Sequence, residues 1–218
     1  MKKILIICSY AVLAMKCLPS YSMELKPFIG FNIAANGVVY SDELNDMSDD
    51  ANIDLPTAFF SAGAEAGLKF KTNNIWNGAI TLAYDYAFDS EADTDSNPYI
   101  NSMNMGFSAI SATFDNYIRV SRDAAHRQDI VVGVGVARAT ERVEATLVNT
   151  EYNNELLNTK YSNISEKDRA TTFVLKIGYN YQLSNNAEWY LNGRWFIPSS
   201  DREVEALFNA DVGLRFVF

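Results

Sequence analysis

The stretch VEALFNADVGLRFVF, residues Val204–Phe218, decides how the whole chain is read. Every second residue in it is apolar or small: Val204, Ala206, Phe208, Ala210, Val212, Leu214, Phe216 and Phe218. Between them stand Asn209, Asp211, Gly213 and Arg215. Successive side chains of a β-strand point to opposite faces, so a period of two predicts a strand with one greasy and one polar face.

The same alternation recurs upstream. A first segment runs from Leu25 to about Val39, with Phe28 and Phe31 out of phase and a bend expected near Pro27 or Gly30. In the second, Thr57 to Phe70, the residues Phe60, Ala62, Ala64, Ala66, Leu68 and Phe70 share one face, opposite Ser61, Gly63, Glu65, Gly67 and Lys69. Further segments cover Ile75–Phe88, Ile100–Arg122, Asp129 toward Ala145, Thr171–Leu183 and Trp189–Ile197. With the closing stretch they make eight strands. Their connections alternate in length. Lys71–Asn74, Asp123–Gln128 and Ser184–Ala187 are short, whereas Ser41–Pro56, Asp89–Tyr99 and Thr146–Ala170 are long and polar. Short turns at one end and long loops at the other are the expected pattern of a transmembrane barrel.

The N-terminus carries Lys2 and Lys3, the apolar run Ile4–Ala14 and the small residues Ser20 and Ser22, the three parts of a secretory signal with cleavage after Ser22. The apolar run is too short to span a bilayer, which needs about 20 residues. Acylation at Cys17 is disfavoured by the bulky Met15 and Lys16 before it. The expected domains are therefore a signal peptide over residues 1–22 and a single β-barrel domain over 23–218. Cleavage removes three lysines and no acid, which leaves 15 basic against 27 acidic residues, a net charge of −12. Both cysteines, Cys8 and Cys17, leave with the signal, so no disulfide framework is expected. The acidity argues against nucleic acid as a partner.

Read as Asp211-x-Gly213-x-x-Phe216-x-Phe218, the tail resembles the C-terminal assembly signal of bacterial outer-membrane barrels. The mature chain is similar in architecture to the small eight-stranded barrels of Gram-negative bacteria, the OmpA transmembrane domain, OmpX and Opa class. The resemblance implies an all-β, eight-stranded antiparallel up-and-down barrel in the outer membrane, inserted by the barrel-assembly machinery, which would read those four residues. Its partners would then be outer-membrane lipid and lipopolysaccharide, and host or cell-surface ligands touched by the outer loops.

In such a barrel the apolar face points to lipid and the polar face inward, the reverse of a soluble barrel. Trp76, Phe70, Phe88, Tyr181, Trp189, Trp195 and Phe218 suit the bilayer interface. The polar face carries Glu65, Lys69, Asp85, Asp115, Arg119, Lys176, Arg194, Asp211 and Arg215. An eight-stranded barrel is just wide enough for side chains to fill. These nine residues are therefore expected to form an interior network of ion pairs, because an unpartnered buried charge is too costly.

The residues suggest no catalytic chemistry. The lone histidine, His126, falls in a short turn, far from the outer rim where the lipid-modifying and omptin-like barrels work. Asp89-x-Glu91-x-Asp93-x-Asp95 alternates oxygen ligands, but Thr94 and Ile100 stand where a calcium loop needs Gly and Glu. No cofactor, metal site or enzymatic activity is expected. The function expected is structural or surface-interactive, adhesin-like, with a filled lumen and not an open pore. The alternatives are a narrow pore for small solutes and a soluble periplasmic lipocalin-like carrier.

Overall fold

The computed structural model describes residues 24–72, 76–94, 97–121, 127–153, 156–198 and 204–218. The strands are β1 (Glu24–Tyr40), β2 (Ala58–Thr72), β3 (Trp76–Ala87), a short β4 (Ser90–Ala92), β5 (Ile100–Arg119), β6 (Gln128–Asn153), β7 (Leu156–Ser184), β8 (Ala187–Pro198) and β9 (Val204–Val217). One helix, α1 (Asp42–Asp50), follows β1. All pairings are antiparallel, and the long strands run β1-β2-β3-β5-β6-β7-β8-β9 around a ring. The ring is closed by β1 on β9, in register from Phe28 opposite Val217 to Val39 opposite Ala206. Closure leaves no row of unpaired backbone groups along a sheet edge, the condition for a β-structure to cross lipid.

Alternation sorts the side chains as the hydropathy does. On β7, Phe173, Leu175 and Ile177 face out, and Ile177 is 65% exposed. Their neighbours Thr172, Val174 and Lys176 are buried inside. On β2, Phe60 and Leu68 face out while Phe59, Ser61 and Glu65 face in. Exposed Phe88 and Phe218 mark the belt's edges, while exposed Trp195 stands within the belt opposite Leu175 and stacks on Phe208 at 5.4 Å. The side chain of Trp76 lies outside the described residues, as do His126 and the whole of residues 1–23, with Ser22 among them.

Three expectations are corrected. No bulge or break falls at Pro27 or Gly30, where the bend was expected. β1 pairs with β2 without interruption from Glu24 to Gly37, and the register shift with β9 falls at Val39/Tyr40. Phe28 breaks the phase because it is an aromatic placed inside the barrel, only 1% exposed. Thr146–Ala170 is not a loop either. β6 and β7 keep pairing from Thr146 opposite Asn163 to Asn153 opposite Leu156. This stretch has no Pro or Gly to end the ladder. From 161 to 169 the side chains of both parities are exposed, so no alternation announces it. Last, Ser41–Pro56 contains a helix: Ser41 Oγ accepts from Leu44 N at 3.2 Å, and Asp42 and Glu43 sit in the first turn. Carboxylates there complement the helix dipole.

The orientation of the faces is testable at Ile177, midway along the membrane stretch of β7. Ile177→Lys is expected to lower stability by about 2–4 kcal/mol, the cost of a lysine facing lipid near the midplane. Urea titration of the protein refolded into phosphatidylcholine vesicles measures it. A change near zero would mean that this face meets water.

Candidate functional site

The lumen is built in layers by residues of one parity from every strand. Its centre is Arg194 of β8. The guanidinium donates two hydrogen bonds to Asp85 of β3, at 2.6 and 2.7 Å, and Nε donates to Asp211 Oδ2 of β9 at 2.9 Å. β3 and β8 lie on opposite sides of the ring, so the Arg194–Asp85 fork crosses the full lumen. Paired parallel hydrogen bonds of this kind fix geometry as well as charge. Asn192 Nδ2 donates to the second Asp211 oxygen at 3.0 Å, and Asn209 Oδ1 accepts from Arg194 Nε at 3.1 Å. The chain of bonds continues outward, from Asn209 Nδ2 to Asn36 Oδ1 at 2.7 Å and from Asn36 Nδ2 to Ser61 Oγ at 2.8 Å. Beside it, Lys176 Nζ and Thr81 Oγ1 each donate to Asp115 Oδ2 at 2.9 Å.

A second layer lies toward the short-turn end. Arg215 donates from Nε to Glu65 Oε1 at 2.8 Å and from Nη1 to Tyr117 Oη at 2.8 Å. Its guanidinium lies 4.4 Å from the Phe28 ring centroid and 4.9 Å from that of Tyr190, within cation–π reach of both rings. Lys69 pairs with Glu188, which also lies 3.7 Å from Arg215. Glu188 was not among the residues singled out from the sequence, because it stands one position before the expected start of its strand. Tyr117, Asn36 and Asn209 were passed over because neutral side chains carry no charge signal.

Eight of the nine expected interior residues enter these layers. Arg119 does not. It has the lumen-facing parity, but it ends β5 and is exposed, and it enters none of the ion pairs described. At a strand end, water solvates a guanidinium without a protein partner.

Toward the long-loop end the lumen turns apolar. Val38, Tyr40, Phe59, Met105, Phe107, Val174, Phe196 and Leu207 are buried together, with Leu44 of α1 and Leu55 against them. A cavity of about 70 Å³ opens among them, and one of about 130 Å³ opens at the short-turn mouth near Lys69, Arg127 and Glu188. Between the two, the space around Glu65, Lys176, Arg194 and Asp211 shrinks to about 10 Å³. That is room for about one water molecule.

The four tail residues take different environments. Asp211 is buried in the Arg194 cluster, whereas Phe216 and Phe218 are exposed at the short-turn end. Gly213 is pressed against the phenol of Tyr190, where an added Cβ would lie 2.5 Å from the ring and from its hydroxyl. Phe218 N donates to Pro27 O at 2.9 Å, which ties the tail to the start of β1.

A lone carboxylate or guanidinium left in this interior costs far more than the pair contributes. Arg194→Leu is therefore expected to destabilise the barrel by about 3–5 kcal/mol, because it strands Asp85 and Asp211. Adding Asp85→Asn to that variant should recover part of the loss. A double-mutant cycle by urea unfolding reads the coupling, and strictly additive losses would contradict the pairing.

No protein-family model matches the chain, and no curated protein matches it in sequence. Among solved structures it is similar to Ail, the attachment invasion locus protein of Yersinia pestis, solved in complex with the heparin analogue sucrose octasulfate. The identity is 14% and the TM-score 0.48, over 89% of this chain and 99% of that one. It is also similar to neisserial surface protein A, at 10% identity and TM-score 0.46, over 88% of this chain and 97% of that one. The N-terminal β-barrel domain of Pseudomonas aeruginosa OprF matches at 15% identity and TM-score 0.44, over 87% of this chain and 97% of that one. With eight long antiparallel strands closed on themselves, an apolar exterior and its charges turned inward, the chain has the fold of the small eight-stranded outer-membrane β-barrels.

Proposed function

We propose that the chain is exported on residues 1–22, inserted by the barrel-assembly machinery through Asp211, Gly213, Phe216 and Phe218, and serves as a non-conducting surface barrel. Its role in this reading is structural and adhesin-like: a rigid membrane stave that presents its long-loop end to other molecules. The observation that carries this is the mid-lumen constriction. A cavity of only about 10 Å³, ringed by Arg194, Asp211, Lys176 and Glu65, supports a lumen filled by side chains at mid-height. The display element is the β6–β7 hairpin. Its strands are 26 and 29 residues long, against 12 to 20 for the other long strands. About 9–11 residues of a strand cross a bilayer, so most of the excess stands clear of it. In outer-membrane barrels the long connections face outward.

In planar lipid bilayers the purified protein is expected to give no unitary current. The triple variant Asp85→Ala, Arg194→Ala, Asp211→Ala, which empties the constriction, is expected to conduct. Stable unitary steps from the unaltered protein would favour the narrow pore over the plugged barrel. The display role is checked by attachment of cells bearing the full chain or one shortened across residues 146–163 to an extracellular-matrix surface. Equal attachment would remove the hairpin from that role.

A further inference from the structure

The chain carries a net charge of −9, yet one strip of its outer wall is basic. Where side chains are described, Arg138, Arg142, Lys167 and Arg169 are the basic residues that face away from the lumen. The other basic residues of the strands have lumen-facing parity. All four stand on β6 and β7. The register sets Arg142 directly opposite Lys167, and Arg169 opposite Thr140, diagonally between Arg138 and Arg142. Like charges placed this way repel one another.

The acids nearby do not resolve the strip. Arg142 donates to Asp89 Oδ1 at 2.8 Å and to Tyr86 Oη at 2.9 Å. Glu144 lies on the same face, opposite Ser165. Arg138, Lys167 and Arg169 are exposed and enter none of the ion pairs among the described residues. Three cations without an ion pair among the described residues, beside a fourth, suit an anionic ligand.

Their height says which anion. On β6 the outward series reads Val132, Val134, Val136, then Arg138; on β7 it reads Ile177, Leu175, Phe173, then Thr171, Arg169 and Lys167. At ~3.3 Å per residue, Arg138 lies ~7 Å along its strand beyond the last valine, and Arg169 lies ~13 Å beyond Phe173. This is where hydrocarbon gives way to headgroups. Arginine forks fit phosphate oxygens in pairs, and basic pockets at this depth hold phosphorylated lipid heads.

We propose that Arg138, Lys167 and Arg169, with Arg142 held in place by Asp89 and Tyr86, form a binding site for the phosphates of an outer-leaflet glycolipid. The inference rests on the reading of the chain as an outer-membrane barrel with its long-loop end outward. Its occupant fixes one side of the barrel to lipid and leaves the other walls free for neighbours.

The test uses the protein in phosphatidylcholine nanodiscs doped with bisphosphorylated lipid A, or with the same lipid stripped of phosphate, and native mass spectrometry counts what is retained. The unaltered protein should hold the bisphosphorylated form about tenfold better, as charge-assisted hydrogen bonds of this kind predict. R138Q/K167Q/R169Q should fall to the phosphate-free level, while K26Q at the opposite end should not change. Equal retention by the triple variant, or of the phosphate-free lipid by the unaltered protein, would overturn the site. Each protein is also run on gels boiled and unboiled. Should the triple variant lack a folded band, R169Q alone is expected to lose severalfold, and no loss would overturn the site. If the unaltered protein shows no boiling-dependent shift, the barrel reading itself fails, a result distinct from failure of the site.

Discussion

One guanidinium ties the two sides of the barrel together. Arg194 reaches from β8 across the lumen to Asp85 on β3 and sideways to Asp211 on β9. Each of the three is 5% exposed or less. In that setting a charge without its partner is prohibitive, so the positions of β3, β8 and β9 around the ring are coupled through a single side chain. Arg215 repeats the device one layer down, where it links Glu65 of β2 to Tyr117 of β5. The hydrophobic effect, which organises a soluble core, acts weakly on a wall whose outside is already lipid. The polar interior supplies specificity of register in its place.

Two halves of the lumen follow different chemistry. Toward the short turns it is charged and cross-linked by hydrogen bonds. Toward the long loops it is lined by Phe59, Phe107, Phe196 and Leu207 and roofed by Leu44 and Leu55. The outer wall is just as uneven, with its cations gathered on β6 and β7 above an apolar belt. A closed ring of strands is symmetric in its hydrogen bonds. Its side chains make it a directional object, with a distinct top, bottom and front.

The fold was legible wherever lipid imposes it. Strands with one face in hydrocarbon and one in a charged lumen must alternate, so Phe60 against Glu65, or Ile177 against Lys176, could be placed from the sequence. Legibility ended where that contrast ends. Residues 161–169 of β7 are exposed on both faces, and helix α1 offers only Leu44 to the core. Adjacent aromatics hid the apolar half of the lumen, since Phe59-Phe60 and Trp195-Phe196 read alike in either parity. Parity alone also misplaced Arg119, because alternation gives the side of the sheet and not the depth. Distances between residues far apart in sequence, such as Arg215 and Tyr117, depend on ring closure and have no local signature.

The central claim is that the apolar face meets lipid and the charged face a filled lumen. The only cysteines of the chain are Cys8 and Cys17, both before residue 23, so single cysteines can be introduced one at a time from Thr171 to Leu183. Each would carry a spin label in reconstituted vesicles, with collisions against oxygen and against a water-soluble nickel chelate measured at every position. Oxygen collisions are predicted to rise and fall with a period of two, peaking at 173, 175 and 177, with the chelate excluded there. Chelate maxima at 173, 175 and 177 would show that this face is wet, and the inside-out assignment of the barrel would be wrong.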